Sequence, residues 1–284
     1  MSTSIDILDR IHAAYYQLTA AERKVSDYIL SCPDKIQYMS ISQVAEECGV
    51  ADATISRFCR NLGLNGFHGF KLEIAKHVAT VSTVSTQSNL KSSKTKRNKN
   101  QHIGKTSQDA IQQTIDLVNP SDITKAVSLM EKASNIVCIG SGGSMIMAQE
   151  CAHLFSMVCN KFFAVNDSHM QISYTATLNT NDTIILFSYS GATKNGIDAL
   201  ELAKSRGIST ILVTRFPKSP AAELADVVLC CGSNESPFQF GSIPARVAQL
   251  VVLDVLFHEY VTRNKEQSDE SLNRIGAALS NMHI

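Results

Sequence analysis

Two stretches rich in serine and glycine have residue types that bind anions. The first is Gly140-Ser141-Gly142-Gly143-Ser144, which precedes a helix predicted from Met145. The second is Ser188-Tyr189-Ser190-Gly191-Ala192-Thr193, which precedes a helix predicted from about Lys194. Glycine lets the backbone approach an anion closely, and the first N–H groups of a helix point at it with a favourable dipole. Hydroxyl groups beside such N–H groups can hold a phosphate without a charged side chain, so both stretches predict a phosphate site.

Other phosphate-binding loops have signatures that this chain lacks. A dinucleotide loop of the form G-x-G-x-x-G starting at Gly140 would need glycine where Met145 stands. The stretch also lacks the Gly-Lys-Ser/Thr ending of a nucleotide-binding P-loop. For the second stretch, a Ser/Thr-rich turn that only caps a helix remains the alternative.

A third cluster of residues has the spacing of a helix-turn-helix. Ala45, Gly49 and Ile55 lie four and then six residues apart among apolar neighbours. A small residue lets two helices approach, glycine permits a tight turn, and a branched apolar residue fixes the second helix on the first. The spacing therefore predicts a DNA-binding motif, with an ordinary pair of packed helices as the alternative.

The second helix of this motif, expected from about Asp52 to Leu62, carries the side chains that would contact DNA. Arginines can reach guanine edges or phosphates, hydroxyls can reach phosphates or bases, and alanine can touch a thymine methyl group. The predicted contacts are Asp52, Ala53, Thr54, Ser56, Arg57, Arg60 and Asn61, with Lys71 as a further phosphate contact. We therefore expect double-stranded operator DNA as a partner.

The two anion-binding stretches must be positioned by a sheet. Five apolar runs separated by predicted amphipathic helices occupy the second half of the chain: Ile136–Ile139, Phe162–Val165, Thr183–Phe187, Thr210–Val213 and Val227–Leu229. Right-handed crossovers through such helices give a parallel sheet that is covered on both faces. Ligands of open α/β sheets bind at the carboxyl ends of the strands, where both Ser/Gly stretches would lie. We therefore predict a doubly wound α/β domain with a five-stranded parallel sheet.

The first 80 residues predict helices only. Thr19 and Glu22 have the spacing of a capping box, and so do Ser40 and Gln43, so a helix is expected to begin after each pair. Pro33 is expected to end the first of these helices. The N-terminal domain is therefore predicted to be all-α, with the helix-turn-helix inside it.

Composition narrows the class of protein. The chain has 284 residues, enough for two domains, and its 26 basic and 26 acidic residues leave no net charge that would point to a partner. Residues 81–105 carry six basic and no acidic residues, with almost no apolar ones, which predicts a flexible basic linker. The predicted divisions are a helix-turn-helix domain at 1–80, the linker at 81–106 and an α/β domain at 107–284.

Several function classes are disfavoured by what the sequence lacks. Its eight cysteines include no C-x-x-C pair and no Cys/His spacing typical of zinc. It has no apolar run of about 18 residues, as a membrane span needs, and no basic and then apolar start typical of a signal peptide. We therefore expect a cytoplasmic protein with no membrane partner, no metal and no cofactor.

Together these motifs resemble those of the RpiR family of bacterial transcription regulators, which join an N-terminal helix-turn-helix to a sugar isomerase (SIS) domain. In the first half the resemblance is carried by Ser42-Gln43-Val44-Ala45, Gly49-Val50, Thr54-Ile55-Ser56-Arg57-Phe58-Cys59, Leu62-Gly63, Gly66-Phe67 and Phe70-Lys71. In the second half it is carried by Ile139-Gly140 with Gly142 and Ser144, by Ser188-Tyr189-Ser190-Gly191 with Thr193, and by Glu235-Ser236-Pro237. It covers nearly the full length of the chain.

The resemblance implies a regulator that responds to a phosphorylated sugar or amino sugar and forms dimers or tetramers through its SIS domains. It implies that hydroxyl groups hold the phosphate, namely those of Ser141, Ser144, Ser188, Ser190 and Thr193. Gly142 and Gly191 complete the predicted effector loops. One departure is Ala51, which stands where the family often has a capping serine, so either Asp52 caps the following helix or its first turn frays.

The rival interpretation is an active sugar-phosphate isomerase, because the same type of domain supports aldose–ketose interconversion. That reaction needs a base for the carbon-bound proton and an acid for the ring oxygen. The candidates are His169 and Glu235, which follow strand ends as Asp167 also does, and Glu150 and His258, within predicted helices. An attached DNA-binding domain makes turnover unnecessary, so we predict that His169 and Glu235 contact sugar hydroxyls instead. A DNA-binding protein whose α/β half only dimerises is the third possibility.

Overall fold

The chain folds into a helical unit followed by an α/β unit. The computed structural model describes residues 6–87, 95–233 and 243–280, without the side chains of 79–87 and 95–103. One compact unit contains the described residues up to 104, and the other contains those from 105 onward. The first unit is helical and the second contains one five-stranded sheet. This confirms the predicted fold class.

The helices of the first unit are α1 (Ile7–Ala14), α2 (Ala20–Ser31), α3 (Pro33–Ile36), α4 (Ile41–Cys48), α5 (Asp52–Asn61) and α6 (Gly66–Gln87). Both predicted capping boxes are present, Thr19 with Glu22 before α2 and Ser40 with Gln43 before α4. Pro33 follows α2 as predicted, but it also begins the short helix α3. Proline suits the first position of a helix because its missing N–H would have no partner there.

The core of the helical unit holds one side of α5 in place. Phe58 of α5 and Phe70 of α6 are fully buried, and their rings meet edge to face at 6.0 Å. Ile29 of α2 and Val44 of α4 lie in the same cluster. The side chains of a helix are spread around its axis with 3.6 residues per turn, so burying this side of α5 directs the opposite side outward.

The sheet consists of β1 (Ile136–Gly140), β2 (Phe162–Ala164), β3 (Thr183–Phe187), β4 (Ser209–Thr214) and β5 (Val227–Cys230). Its order is β2-β1-β3-β4-β5, and every neighbouring pair is parallel. The five predicted runs match these strands to within two residues at each end. All residues of β1 and β3 are buried, as expected for strands covered on both faces.

The helices around the sheet are α7 (Thr95–Leu117), α8 (Pro120–Lys132), α9 (Gly143–Ser156), α10 (Ser168–Thr177), α11 (Lys194–Ser205), α12 (Ile243–Arg263) and α13 (Lys265–Leu279). Alternate strand residues face opposite sides of the sheet. Cys138 and Ile185 pack with residues of α8, α9 and α12, whereas Val137 and Ile184 pack with residues of α11. The carboxyl edge of the sheet is left for the loops that follow β1 and β3.

Most of the segment predicted to be a flexible linker is helical in the structure. The composition of residues 81–106 predicts an irregular segment, but residues 81–87 are helical in α6 and residues 95–106 are helical in α7. Adding residues to an existing helix costs much less than nucleating one, and Lys, Arg and Gln favour helices. Residues 88–94 lie outside the described residues, and the domain limits stay a prediction.

Candidate functional site

The turn between α4 and α5 has the geometry that its spacing predicts. Gly49 has φ +64°, a left-handed conformation that glycine adopts without a steric penalty. The Val50 N–H donates a 2.9 Å hydrogen bond to the Ala45 carbonyl, which closes the end of α4. Ala45 and Ile55 are both buried, so α5 is fixed on α4 by its apolar side.

The outward side of α5 presents part of the predicted DNA-contacting set. Ala53, Arg57 and Arg60 are exposed, and their spacing of four and three residues puts them on one face of the helix. Ser56 is half-buried beside them. Thr54 is only 8% exposed and belongs to the inner side of α5. The exposed face therefore consists of residues 53, 56, 57 and 60, together with the exposed Asn61.

The first turn of α5 is held by a side chain of the preceding helix. The Ser42 hydroxyl on α4 donates a 2.8 Å hydrogen bond to the Asp52 carboxylate. No side chain caps the helix at Ala51, so the expectation that Asp52 caps it is wrong. The carboxylate still lies in the first turn, where it interacts favourably with the helix dipole. Asp52 therefore ties α4 to α5.

Two further predicted DNA contacts also have partners inside the helical unit. Asn61 donates a 2.6 Å hydrogen bond to the Glu22 carboxylate, which joins α5 to α2. Burial raises the pKa of Glu22, but hydrogen bonds from Thr19 and Asn61 and the nearby positive charge of Arg57 lower that pKa below its ordinary value. The Lys71 ammonium donates a 3.0 Å hydrogen bond to a backbone carbonyl before α4, at residue 39.

In the α/β unit, the two Ser/Gly stretches follow adjacent strands. We call residues 141–144 the first loop and residues 188–193 the second loop. β1 and β3 are neighbours, while the strand order reverses between them because β2 lies on the far side of β1. In doubly wound sheets the crossovers at this switch point diverge and leave a crevice where ligands bind. The structure therefore brings both predicted loops to the same edge of the sheet.

Both loops present hydrogen-bond donors. Ser141 and Gly142 are exposed and Ser144 is half-buried in the first loop, and Ser190 and Thr193 are half-buried in the second. Ser188 is 4% exposed, and its hydroxyl has no hydrogen-bond partner among the described residues. The helices α9 and α11 that begin at these loops have no side-chain cap. Their first N–H groups add to the donors at this edge.

The second loop requires glycine at position 191. Gly191 has φ +59°, and a Cβ there would overlap the side chain of Ser219 and stand 3.2 Å from the Thr214 hydroxyl. The Gly191 carbonyl also accepts a 2.9 Å hydrogen bond from the Ala221 N–H. The segment between β4 and β5, which contains Ser219 and Ala221, therefore packs against the second loop.

A buried glutamine that no sequence pattern predicted joins the residue before the first loop to the helix after the second loop. Gln171 of α10 is 1% exposed, and its amide donates hydrogen bonds to the carbonyls of Gly140 (2.9 Å) and Val165 (2.8 Å). Its side-chain oxygen accepts a 2.7 Å hydrogen bond from Asn195, in the first turn of α11. No local pattern marks a residue whose partners lie so far away in sequence.

A cation near the first loop was also missed. A Cβ on Gly143 would stand 3.6 Å from the Arg246 guanidinium of α12. Arg246 therefore brings a positive charge to the start of α9. In the sequence, Arg246 stands among apolar residues beyond the last predicted strand. Nothing around it there indicated a place near the first loop.

The candidate acids and bases have other arrangements. Asp167 caps α10 by accepting a 2.9 Å hydrogen bond from the Met170 N–H, and His169 is exposed on the same helix. Glu150 lies 3.5 Å from His153 on its own helix. His258 lies 3.5 Å from Asp254, also on its own helix. Glu235 lies outside the described residues.

Within the described part of the chain, no group of three or more His, Cys, Asp or Glu side chains could hold a metal ion. Across the same residues, no helix combines the length and apolar character needed to cross a membrane. 

Two family models match separate parts of the chain. Residues 5–81 match the family described as "Helix-turn-helix domain, rpiR family", and residues 129–259 match the SIS domain. An uncharacterized HTH-type transcriptional regulator of Caldanaerobacter subterraneus is 33% identical over 89% of this chain and 89% of its own length. The HTH-type transcriptional regulator HexR of Escherichia coli is 28% identical over 97% of this chain and 94% of its own length.

A similar fold is found in a solved full-length structure. The NanR protein of Vibrio vulnificus, complexed with ManNAc-6P, superposes with a TM-score of 0.86 at 24% sequence identity. The match covers 98% of this chain and 99% of that one. Both halves of the fold are therefore present in that structure.

Proposed function

Because the chain belongs to the RpiR family of helix-turn-helix transcriptional regulators, we propose that it binds a phosphorylated sugar or amino sugar between its first and second loops. We propose further that the outward side of α5 binds operator DNA, in the cytoplasm. The regulator interpretation is favoured over the isomerase because relatives that match nearly the whole chain are named transcriptional regulators.

The observation that carries the ligand class is the buried hydroxyl of Ser188, which has no partner among the described residues. A buried polar group without a hydrogen bond is unfavourable, so a ligand oxygen at this point would be stabilising. Ser190, Thr193 and the first N–H groups of α11 lie in the same loop. A phosphate is an acceptor with several oxygens, and it fits a concave set of donors at a helix N-terminus.

The first loop supplies donors on the other side of the switch point. Ser141, Ser144 and the backbone at Gly142 line this side, and Arg246 adds a guanidinium close to Gly143. A guanidinium forms strong, charge-assisted hydrogen bonds with phosphate. His169 remains a proposed contact to sugar hydroxyls, and so does Glu235 on its sequence position alone.

DNA contact is assigned to the exposed face of α5. Arg57 and Arg60 would reach phosphates or guanine edges, with Ala53 and Ser56 between them. The other predicted contacts are already bonded within the helical unit: Asp52 to Ser42, Asn61 to Glu22 and Lys71 to a backbone carbonyl. Asp52 and Asn61 hold α5 against α4 and α2. Asn61 and Lys71 can contact phosphates only through N–H groups outside these bonds, and the Asp52 carboxylate, which only accepts hydrogen bonds, is not a phosphate contact.

A second copy of the chain is proposed as a further partner. α12 packs against α8 and α9, and apolar side chains on the outside of these helices are exposed: Ile146 by 51%, Leu250 by 41% and Val255 by 36%. Exposed apolar side chains on neighbouring helices are found at the subunit interfaces of many proteins. Two copies would also supply two α5 helices for paired half-sites on DNA. Whether two or four chains assemble is checked by sedimentation.

The ligand class is tested by isothermal titration of the purified full chain. The ligands are N-acetylmannosamine 6-phosphate, glucose 6-phosphate, the two sugars without phosphate, and inorganic phosphate. We expect binding only of phosphate-bearing compounds. Ser188→Ala and Ser190→Ala should each weaken that binding about 10-fold or more, because a hydrogen bond to a charged group contributes about 1.5–3 kcal/mol.

Ser205→Ala is the matched control, since Ser205 is exposed on α11 and bonds only to its own helix. Equal affinity for the sugars with and without phosphate would contradict the proposed ligand class. Conversion of a bound sugar phosphate to its ketose or aldose isomer, followed by NMR, would restore the enzyme interpretation.

A further inference from the structure

The two residues after β5 are bound both by α7 and by the second loop. Gly232 and Ser233 lie at the carboxyl end of β5, at the same edge of the sheet as the two loops. They donate hydrogen bonds to Thr114 and Gln113 of α7, and Ser233 accepts one from Tyr189 of the second loop. Within the α/β unit, this short segment is therefore a physical connection between the proposed ligand site and α7.

On the side of α7 the contact is close. The Gly232 N–H donates a 2.9 Å hydrogen bond to the Thr114 hydroxyl, and the Ser233 N–H donates a 3.1 Å hydrogen bond to the Gln113 side-chain oxygen. A Cβ on Gly232 would stand 2.7 Å from the Thr114 backbone nitrogen. Thr114 is fully buried and donates to the Ala110 carbonyl at 2.6 Å. The segment cannot shift along α7 without breaking these bonds.

On the side of the second loop, the Ser233 carbonyl is the acceptor. The Tyr189 hydroxyl donates a 2.8 Å hydrogen bond to it, and the Arg215 guanidinium donates another at 2.9 Å. Tyr189 stands between Ser188 and Ser190, two of the hydroxyl residues assigned to phosphate. A change in the backbone of this loop on binding an anion therefore acts on the Ser233 carbonyl through one side chain.

Ser233 itself is held in an unfavourable conformation. Its φ is +90°, and among the described residues it is the one residue other than glycine with a positive φ. Its buried hydroxyl has no partner among those residues either. Strained residues of this kind persist where the surroundings over-determine them, and they are found at switch regions.

We propose that Gly232–Ser233 couples occupancy of the second loop to the position of α7, and thereby to the DNA-binding half of the chain. α7 spans the division between the two units, and the covalent path from the helix-turn-helix enters the α/β unit through its residues 105–117. The ligand acts by binding one arrangement of Tyr189 and Ser233 better than another. The inference rests on the proposed function, because it needs a ligand at the second loop.

The test compares variants of Gln113 in the full chain. Gln113→Ala removes the acceptor for the Ser233 N–H, whereas Gln113→Glu keeps an acceptor oxygen. Gln112→Ala is the matched control, since Gln112 is exposed on the same helix and bonds to Asp116 within α7. Tyr189→Phe removes the bond on the other side of Ser233. Each protein is titrated with N-acetylmannosamine 6-phosphate and with inorganic phosphate. Its affinity for a DNA fragment that the wild-type chain selects from a random library is measured with and without each compound.

We expect Gln113→Ala to keep its affinity for the anion, and its affinity for DNA without anion, within about twofold. The ratio of DNA affinities with and without anion, which is the coupling between the sites, should fall at least about threefold towards one. Tyr189→Phe should lower the same ratio, and Gln113→Glu and Gln112→Ala should preserve it. A wild-type ratio in Gln113→Ala would overturn the coupling route alone. Absence of anion binding in the wild-type chain would overturn the proposed ligand class, and the route with it.

Discussion

The side-chain amide of Gln171 donates a 2.9 Å hydrogen bond to the carbonyl oxygen of Gly140, the last residue of β1. The same side chain accepts a 2.7 Å hydrogen bond from Asn195, in the first turn of α11. One buried residue therefore fixes the start of the first loop relative to the helix that follows the second. A phosphate bound by both loops, as proposed, would depend on this spacing, since its oxygens need donors at defined distances.

Gln171→Leu should destabilise the fold and weaken anion binding together. It leaves the buried carbonyl of Gly140 and the half-buried carbonyl of Val165 without their donor, and an unsatisfied buried group costs about 1–3 kcal/mol. The free energy of unfolding is measured by urea denaturation, and anion affinity by titration at a temperature where the variant is folded. Gln149→Leu is the control, because Gln149 is exposed on α9. Unchanged anion affinity in folded Gln171→Leu would show that the two loops are positioned without it.

Gly191→Ala should abolish anion binding at the second loop. The added Cβ meets the Ser219 side chain, so the loop has to move away from its support. Gly207→Ala separates this clash from backbone strain: Gly207 has φ +69°, but a Cβ there would come no closer than 3.5 Å to Thr180. Both variants carry the penalty for a left-handed residue, about 1–2 kcal/mol, measured by thermal unfolding. Loss of anion affinity in Gly207→Ala as well would mean that strain, and not the clash, is responsible.

The parts of the fold that follow from local patterns were predictable. Strands buried on both faces appear as continuous apolar runs, and Ile136 to Ile139 and Thr183 to Phe187 are such runs. The meeting of the two loops then followed from strand direction alone, since parallel strands place their carboxyl ends at one edge. The capping boxes also predicted where α2 and α4 begin, because the two residues of each box lie only three positions apart in the sequence.

Long-range contacts decided what the sequence did not show. Thr54 and Ser56 are both small hydroxyl residues on α5, and only the packing of that helix makes Thr54 buried and Ser56 half-exposed. Asp52 was expected to cap α5, but its carboxylate accepts a hydrogen bond from the Ser42 hydroxyl, ten residues earlier. Gln171 has no signal in its own helix, because its partners lie on other elements. Such pairings appear only when the elements are assembled.

Glu22→Gln should lower the stability of the helical unit at neutral pH and have little effect in acid. The Glu22 carboxylate accepts hydrogen bonds from Thr19 and Asn61, and its pKa is lowered in the folded state. Its contribution is present above the unfolded pKa of about 4.3 and is lost as the pH falls through the lower folded pKa. We expect a loss of about 1–3 kcal/mol at pH 7, measured by denaturation followed by circular dichroism.

The control for this prediction is Glu47→Gln, at an exposed acidic residue of α4. It should change the free energy of unfolding by less than about 0.5 kcal/mol at either pH. A difference between wild type and Glu22→Gln that is as large at pH 3 as at pH 7 would contradict the role of the charged carboxylate.

Arg57→Ala and Arg60→Ala should each weaken operator binding without changing anion affinity, and the salt dependence should tell how each arginine acts. An arginine that contacts phosphate adds about 0.9 to the slope of log affinity against log salt concentration, so its removal lowers the slope by that amount on every DNA sequence. An arginine that contacts a guanine edge contributes about 1–3 kcal/mol of discrimination, so its removal relaxes the preference at one base pair.

Arg274→Ala is the control, since Arg274 is exposed on α13 and pairs with Glu270. The affinities are measured by fluorescence anisotropy between 50 and 200 mM salt, roughly the range over which such contacts change affinity most visibly. Operator affinity and slope that stay at wild-type values in both variants would remove α5 as the DNA-contacting helix.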